Sequence, residues 1–142
     1  MSMSVKRMFV GAASLAATVV LGVASSASAT TMGFSATSTS GKSKIGGTYE
    51  YHSVGTADGR TLYDGSFQNA SAQDQQAGDG VEAVLALSYD EWTNGAWHHV
   101  TNKVAVVNGT DSWSFHDKAN VKAWACDRKV GTTALLNIKA AW

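Results

Sequence analysis

VEAVLALSYDEWTNGAWHHVTNKVAVV, from Val81 to Val107, decides how this chain folds. Val81, Ala83, Leu85, Leu87 and Tyr89 alternate along it, so their apolar side chains fall on one face of an extended strand. The other face opens on Glu82 and closes on Ser88 and Asp90. Asn94-Gly95 then interrupts the pattern. Both residue types tolerate positive φ, so the dipeptide predicts a two-residue type I′ hairpin turn. A second strand follows from Trp97 to Val107.

A two-residue turn fixes the register. Thr93 faces Ala96, Trp92 faces Trp97, Asp90 faces His99 and Tyr89 faces Val100. Farther from the turn, Leu87 is expected opposite Asn102, Leu85 opposite Val104 and Ala83 opposite Val106. A slip of one residue would turn the apolar set to water, which argues for this pairing. The same rule at Asn108-Gly109 places Trp113 opposite Val104 and Phe115 opposite Asn102. The strands on either side of both turns then share one buried face.

Working outward, Met32, Phe34 and Ala36 alternate with polar residues, Tyr49 and Tyr51 mark a further strand, and Thr61–Phe67 marks another. Val121–Arg128 and Thr133–Trp142 read as two more. Thr37–Gly47 and Gln68–Gly80 read as polar loops. With no proline in the chain, turns fall to Asp58-Gly59, Asp64-Gly65, Asp79-Gly80, Asn94-Gly95 and Asn108-Gly109. About eight short strands and no sustained helical period predict an all-β fold, an antiparallel β-sandwich of immunoglobulin-like or jelly-roll-like type.

Residues 1–29 read as a signal peptide ahead of that domain. Lys6 and Arg7 precede an uncharged apolar stretch, and Ala27-Ser28-Ala29 has the small-x-small form of a cleavage site. Cleavage after Ala29 and a secreted, extracellular product over residues 30–142 are expected. No second stretch is apolar enough to span a bilayer, so no membrane association is expected after cleavage. The full chain carries 11 Lys+Arg and 11 Asp+Glu. Losing Lys6 and Arg7 leaves a slightly acidic remainder, which argues against a nucleic-acid partner. The single cysteine, Cys126, excludes an internal disulfide. It reads as a buried thiol in a monomer, the alternative being a Cys126-linked dimer.

The register has a functional consequence. Trp92 and Trp97 fall on the face opposite the expected core, in a pair next to the turn where side chains approach closely. Asp90 and His99 come next on that face, followed by Ser88 and Thr101. Trp92, Trp97, Asp90 and His99 are therefore the candidate binding residues. Indoles offer rigid contact area for sugar rings or a protein partner. Asp90 favours a charged His99, so binding there is expected to depend on pH. The structural alternative is a stabilising aromatic pair with a surface ion pair, packed under the Gln68–Gly80 loop.

Other motifs carry less. Gly41-Lys42-Ser43 lacks the earlier glycine and the strand–helix frame of a phosphate loop. Adjacent His98 and His99 point to opposite faces of a strand and chelate poorly. No calcium-loop spacing or Gly-x-Ser-x-Gly is present. No catalytic residue, cofactor or metal is expected.

The run Val106-Val107-Asn108-Gly109-Thr110, Trp113-Ser114-Phe115 and Val121–Asp127 resembles the C-terminal half of small secreted actinobacterial β-sandwich proteins of unknown function. The resemblance implies a secreted β-sandwich and no assigned activity. Such proteins often pair their cysteines, whereas Cys126 has no partner. The leading expectation is a secreted, non-catalytic binding protein for a glycan, an envelope component or a protein. A small secreted hydrolase and a structural surface protein without a specific ligand are the alternatives.

Overall fold

The computed structural model describes residues 28–142. The expected signal peptide up to Ala27 lies outside the described residues, and Ala29 sits just ahead of the first strand. Seven strands follow: β1 (Thr30–Thr37), β2 (Ser43–Ala57), β3 (Arg60–Asp74), β4 (Val81–Thr93), β5 (Ala96–Val107), β6 (Gly109–Lys129) and β7 (Leu136–Ala140). They form one open antiparallel sheet in the order β1-β2-β3-β6-β4-β5, with β7 on β6. Among the described residues no helix is long and apolar enough to cross a membrane.

Two type I′ turns build the hairpins. Asp58 and Gly59 have φ of 46° and 75°, and Asn94 and Gly95 have 52° and 74°. Among the described residues every non-glycine with positive φ is Asn or Asp. These short polar side chains tolerate the left-handed region best, and here they take the place of proline in shaping the chain.

The key element is β6. Its first half pairs with β3 from Gly109↔Ala72 to Lys118↔Tyr63, and its second half pairs with β4 from Lys118↔Glu91 to Lys129↔Val81. Asp117 and Asn120, with φ of 53° and 55°, lie where it changes partner. One strand thus serves both hairpins, where the sequence predicts separate strands around Trp113 and at Val121–Arg128. That merger reduces the expected eight strands to seven.

Several local expectations are corrected. Gln68–Gly80 is not a loop throughout, because β3 continues to Asp74 with Ala70 and Ala72 buried. The Thr37–Gly47 loop is likewise shorter, since β2 begins at Ser43. The β4–β5 register holds from Thr93↔Ala96 through Tyr89↔Val100. It then shifts at a bulge, so that Leu87 faces Lys103 and, after a second bulge, Leu85 faces Val106. Asn102, with φ of 55°, sits in the first bulge. The second expected hairpin does not form. Asn108 has φ of 42°, but Gly109 does not take the positive φ that type I′ demands. The Asn108 N–H instead donates to the Ala83 carbonyl, and Asn108 Oδ1 accepts from the Ala83 N–H. The chain crosses there to β3, and Trp113 pairs with Phe67 and Phe115 with Gly65.

The main core contains Phe34, Ile45, Tyr49, Phe67, Leu85 and Leu87, with Trp113, Phe115 and Trp142 packed against it. Phe67 is fully buried, and its ring stacks on Trp113 at 4.8 Å. Burying such a side chain contributes about 1.5–3 kcal/mol. A Cβ at Gly65 would lie 2.3 Å from the Glu50 carbonyl oxygen and 2.6 Å from the Phe115 ring, so only glycine fits under that ring. A smaller cluster of Val84, Ala86 and Cys126 lies on the opposite face of β4, bordered by Trp124 and Leu135. Both faces of β4 are therefore covered along much of its length.

Candidate functional site

The Asn94-Gly95 turn brings Trp92 and Trp97 together as the sequence predicts, with ring centres 5.5 Å apart and edge to face. The pair does not lie under the 68–80 segment. It packs instead against the tip of the β2–β3 hairpin. Trp97 Nε1 donates to the Ala57 carbonyl at 3.3 Å, and the Arg60 guanidinium lies 4.1 Å from the Trp97 ring centre. A cation over an indole face is a favourable electrostatic contact. Both indoles are half-buried.

Asp90 joins the two hairpins. Arg60 donates to its Oδ2 at 2.5 Å, Asn120 reaches the same oxygen at 3.4 Å, and His99 Nδ1 lies 2.5 Å from Oδ1. Asp90 is buried, which by itself pushes its carboxyl up, but the hydrogen bonds from Arg60, His99 and Asn120 and the Arg60 charge outweigh that and hold it below the usual carboxylate range. An ionised carboxylate only accepts, so His99 Nδ1–H donates and Nε2 is the nitrogen left for another partner. The His99 side chain is 58% exposed and Asp90 11%. Of the candidate residues, His99 is thus presented to solvent and Asp90 holds it in place.

The outer face continues into a groove of about 260 Å³ that the sequence reading missed as a concavity. Ala86, Ser88 and Cys126 line it with the Trp124 ring, and His99, Thr101 and Asn102 of β5 border it with Ile138 of β7. Ser88 and Thr101 were placed on this face from the register. The depth comes from small side chains at Ala86 and Ser88 beside Trp124, and from the Asn102 bulge, neither of which alternation reveals. Trp124 Nε1 donates to Ser88 Oγ at 2.9 Å, which fixes the indole. Cys126 is fully buried; burial first and the neighbouring Asp127 charge second push its thiol up to about 11. It is accordingly a protonated, poorly nucleophilic thiol, and a Cys126-linked dimer would require the interior to open.

No protein-family model, curated protein or solved structure matches this chain. Function must therefore be argued from the site itself. Among the described residues no three His, Cys, Asp or Glu side chains are grouped to hold a metal ion.

Proposed function

We propose that this chain is a secreted, non-catalytic binding protein, its sheet folded over the core as a sandwich, that takes a glycan at the outer groove of β4, β5 and β6. The observation that carries this reading is the fixed Trp124 ring walling a groove of about 260 Å³ whose rim holds His99, Thr101 and Asn102. A flat ring beside donors and acceptors suits a sugar, which has apolar C–H faces and a hydroxyl edge. The Trp92–Trp97 pair extends the same face beyond His99. The resemblance to small secreted β-sandwich proteins agrees with this reading in fold and location.

The test is binding to a glycan array and to insoluble polysaccharides. Trp124→Ala is expected to weaken binding roughly tenfold or more, as truncation of a central aromatic anchor does. Thr101→Val, at the exposed rim, and Asn102→Gly, which keeps the left-handed bulge at φ 55°, are expected to lower affinity with little change in melting temperature. Undiminished binding in all of these variants would refute the groove as the site.

A specific observation favours a second reading, a small hydrolase. His99 lies 2.5 Å from Asp90 at the mouth of a groove, the arrangement of a general base held by a carboxylate. Among the described residues no hydrogen bond links Ser88 Oγ to His99, and the Cys126 thiol stays protonated, so such an enzyme would act through a His99-activated water. Turnover of a bound oligosaccharide or ester that His99→Ala abolishes would establish it.

A further inference from the structure

A second concavity opens on the other face of β4, where the sheet is not closed between β5 and the first half of β6. Its volume is about 170 Å³, and its walls are Phe67, Leu87, Tyr89, Trp113 and Phe115. Lys103 and Lys118 also line it. A shallower hollow adjoins it, sharing Leu87, Lys103 and Trp113 and bordered by Asp111.

We propose that this cleft binds a small monocarboxylic acid bearing a single aromatic ring, with the ring against Trp113 and Phe115 and the carboxylate at Lys103. Size supports one ring, because an apolar cavity of about 150 Å³ is enough to hold benzene. The walls support an aromatic ring over a flexible chain, since Trp113, stacked on the buried Phe67 ring at 4.8 Å, offers the cleft a flat, fixed ring. Charge decides the rest. Lys118 is committed to Glu91 Oε2 at 3.1 Å and lies 5.5 Å from the Tyr89 ring centre. Lys103, on exposed β5, makes no ion pair among the described residues. One cation is thus available to one carboxylate, and Glu91 and Asp111 disfavour a dianion. This site is separate from the outer groove and does not depend on it.

The experiment uses phenylacetate as the probe, benzyl alcohol as its uncharged counterpart and propionate as its ringless one. Binding to the purified protein is followed by the indole N–H resonances of the tryptophans. Phenylacetate is expected to move Trp113 saturably and to leave Trp124 and Trp97 in place, with benzyl alcohol and propionate at least tenfold weaker. Lys103→Met is expected to weaken phenylacetate about tenfold and Lys103→Arg to restore it, both at a single exposed position where substitution leaves the fold intact. Equal affinity for phenylacetate and benzyl alcohol, an unaffected Lys103→Met variant, or movement of Trp124 instead of Trp113 would each overturn the assignment.

Discussion

Asp90 and Asp127 are both buried carboxylates, set toward opposite ends of the paired strands β4 and β6, and they are held by opposite means. Asp90 is met by charge, from Arg60 and His99, with Asn120 beside them. Asp127 is met by neutral dipoles. Ser43 Oγ donates to it at 2.6 Å, Asn137 Nδ2 at 2.7 Å, and Ser40 Oγ also donates. Burial alone would push both carboxyls up, and in both the hydrogen bonds prevail and hold them low. The difference lies in the partners. Arg60 and His99 are 41% and 58% exposed, whereas Ser43 is fully buried. Losing Asp90 releases groups that water can reach; losing Asp127 strands a hydroxyl that it cannot.

Acid should break the comparison by abolishing both sides at once. Each carboxyl is lowered in the folded chain, so the unfolded chain binds protons first as pH falls. The stability they contribute is intact above the ordinary carboxylate range near 4 and is lost as pH drops through their lowered values. Melting temperature measured from pH 7 to pH 2 should stay level and then fall steeply below about 4. A level profile down to pH 2 would contradict both assignments.

Asp127→Ala should cost about 2–3 kcal/mol, near the upper end for single substitutions, because it leaves the buried Ser43 hydroxyl unpaired and removes the acceptor that Ser40 and Asn137 share. Urea unfolding reads this directly, and a loss below about 1 kcal/mol would mean that water reaches the Ser43 hydroxyl. Asp90→Ala should cost less, about 1–2 kcal/mol, since its exposed partners rehydrate. If Asp90→Ala proves the more damaging of the two, cation partners matter more here than burial of the donors. The smallest effect belongs to the Trp92–Trp97 pair. A double-mutant cycle with alanine should give a coupling of about 0.2–1 kcal/mol. A value near zero would leave the Arg60 stack and the Ala57 hydrogen bond as what holds Trp97.

The hairpin at Asn94-Gly95 was legible because a two-residue turn dictates its neighbours' pairing, and Trp92↔Trp97, Asp90↔His99 and Tyr89↔Val100 all follow from it. Legibility ended at Asn102, where a left-handed residue inserts a bulge with no distinctive sequence mark. The identical dipeptide at Asn108-Gly109 misled for a tertiary reason. Its amide and carboxamide bond to Ala83, and the strand beyond it gains the stack of Trp113 on Phe67. The end of β3 was hidden by parity. Asn69, with φ of 49°, adds a residue between inward Phe67 and inward Ala70, so alternation breaks and the stretch looks like a polar loop. At the site, the residues were legible and their surroundings were not. Arg60 and Asn120 reach Asp90 from distant strands, and nothing in the local pattern announces either.

The sharing of β6 between two hairpins bears on how the molecule assembles. The β2–β3 and β4–β5 hairpins are each closed by a local turn and precede β6 in the chain. Until β6 is available, β3 and β4 have open edges of the kind that recruit other chains. Its docking on β3 and β4 closes long loops, the step expected to govern the folding rate in all-β topologies. A nascent or truncated chain ending before Gly109 would hold two hairpins without the strand that unites them, and self-association would compete with folding until the last quarter of the chain arrives.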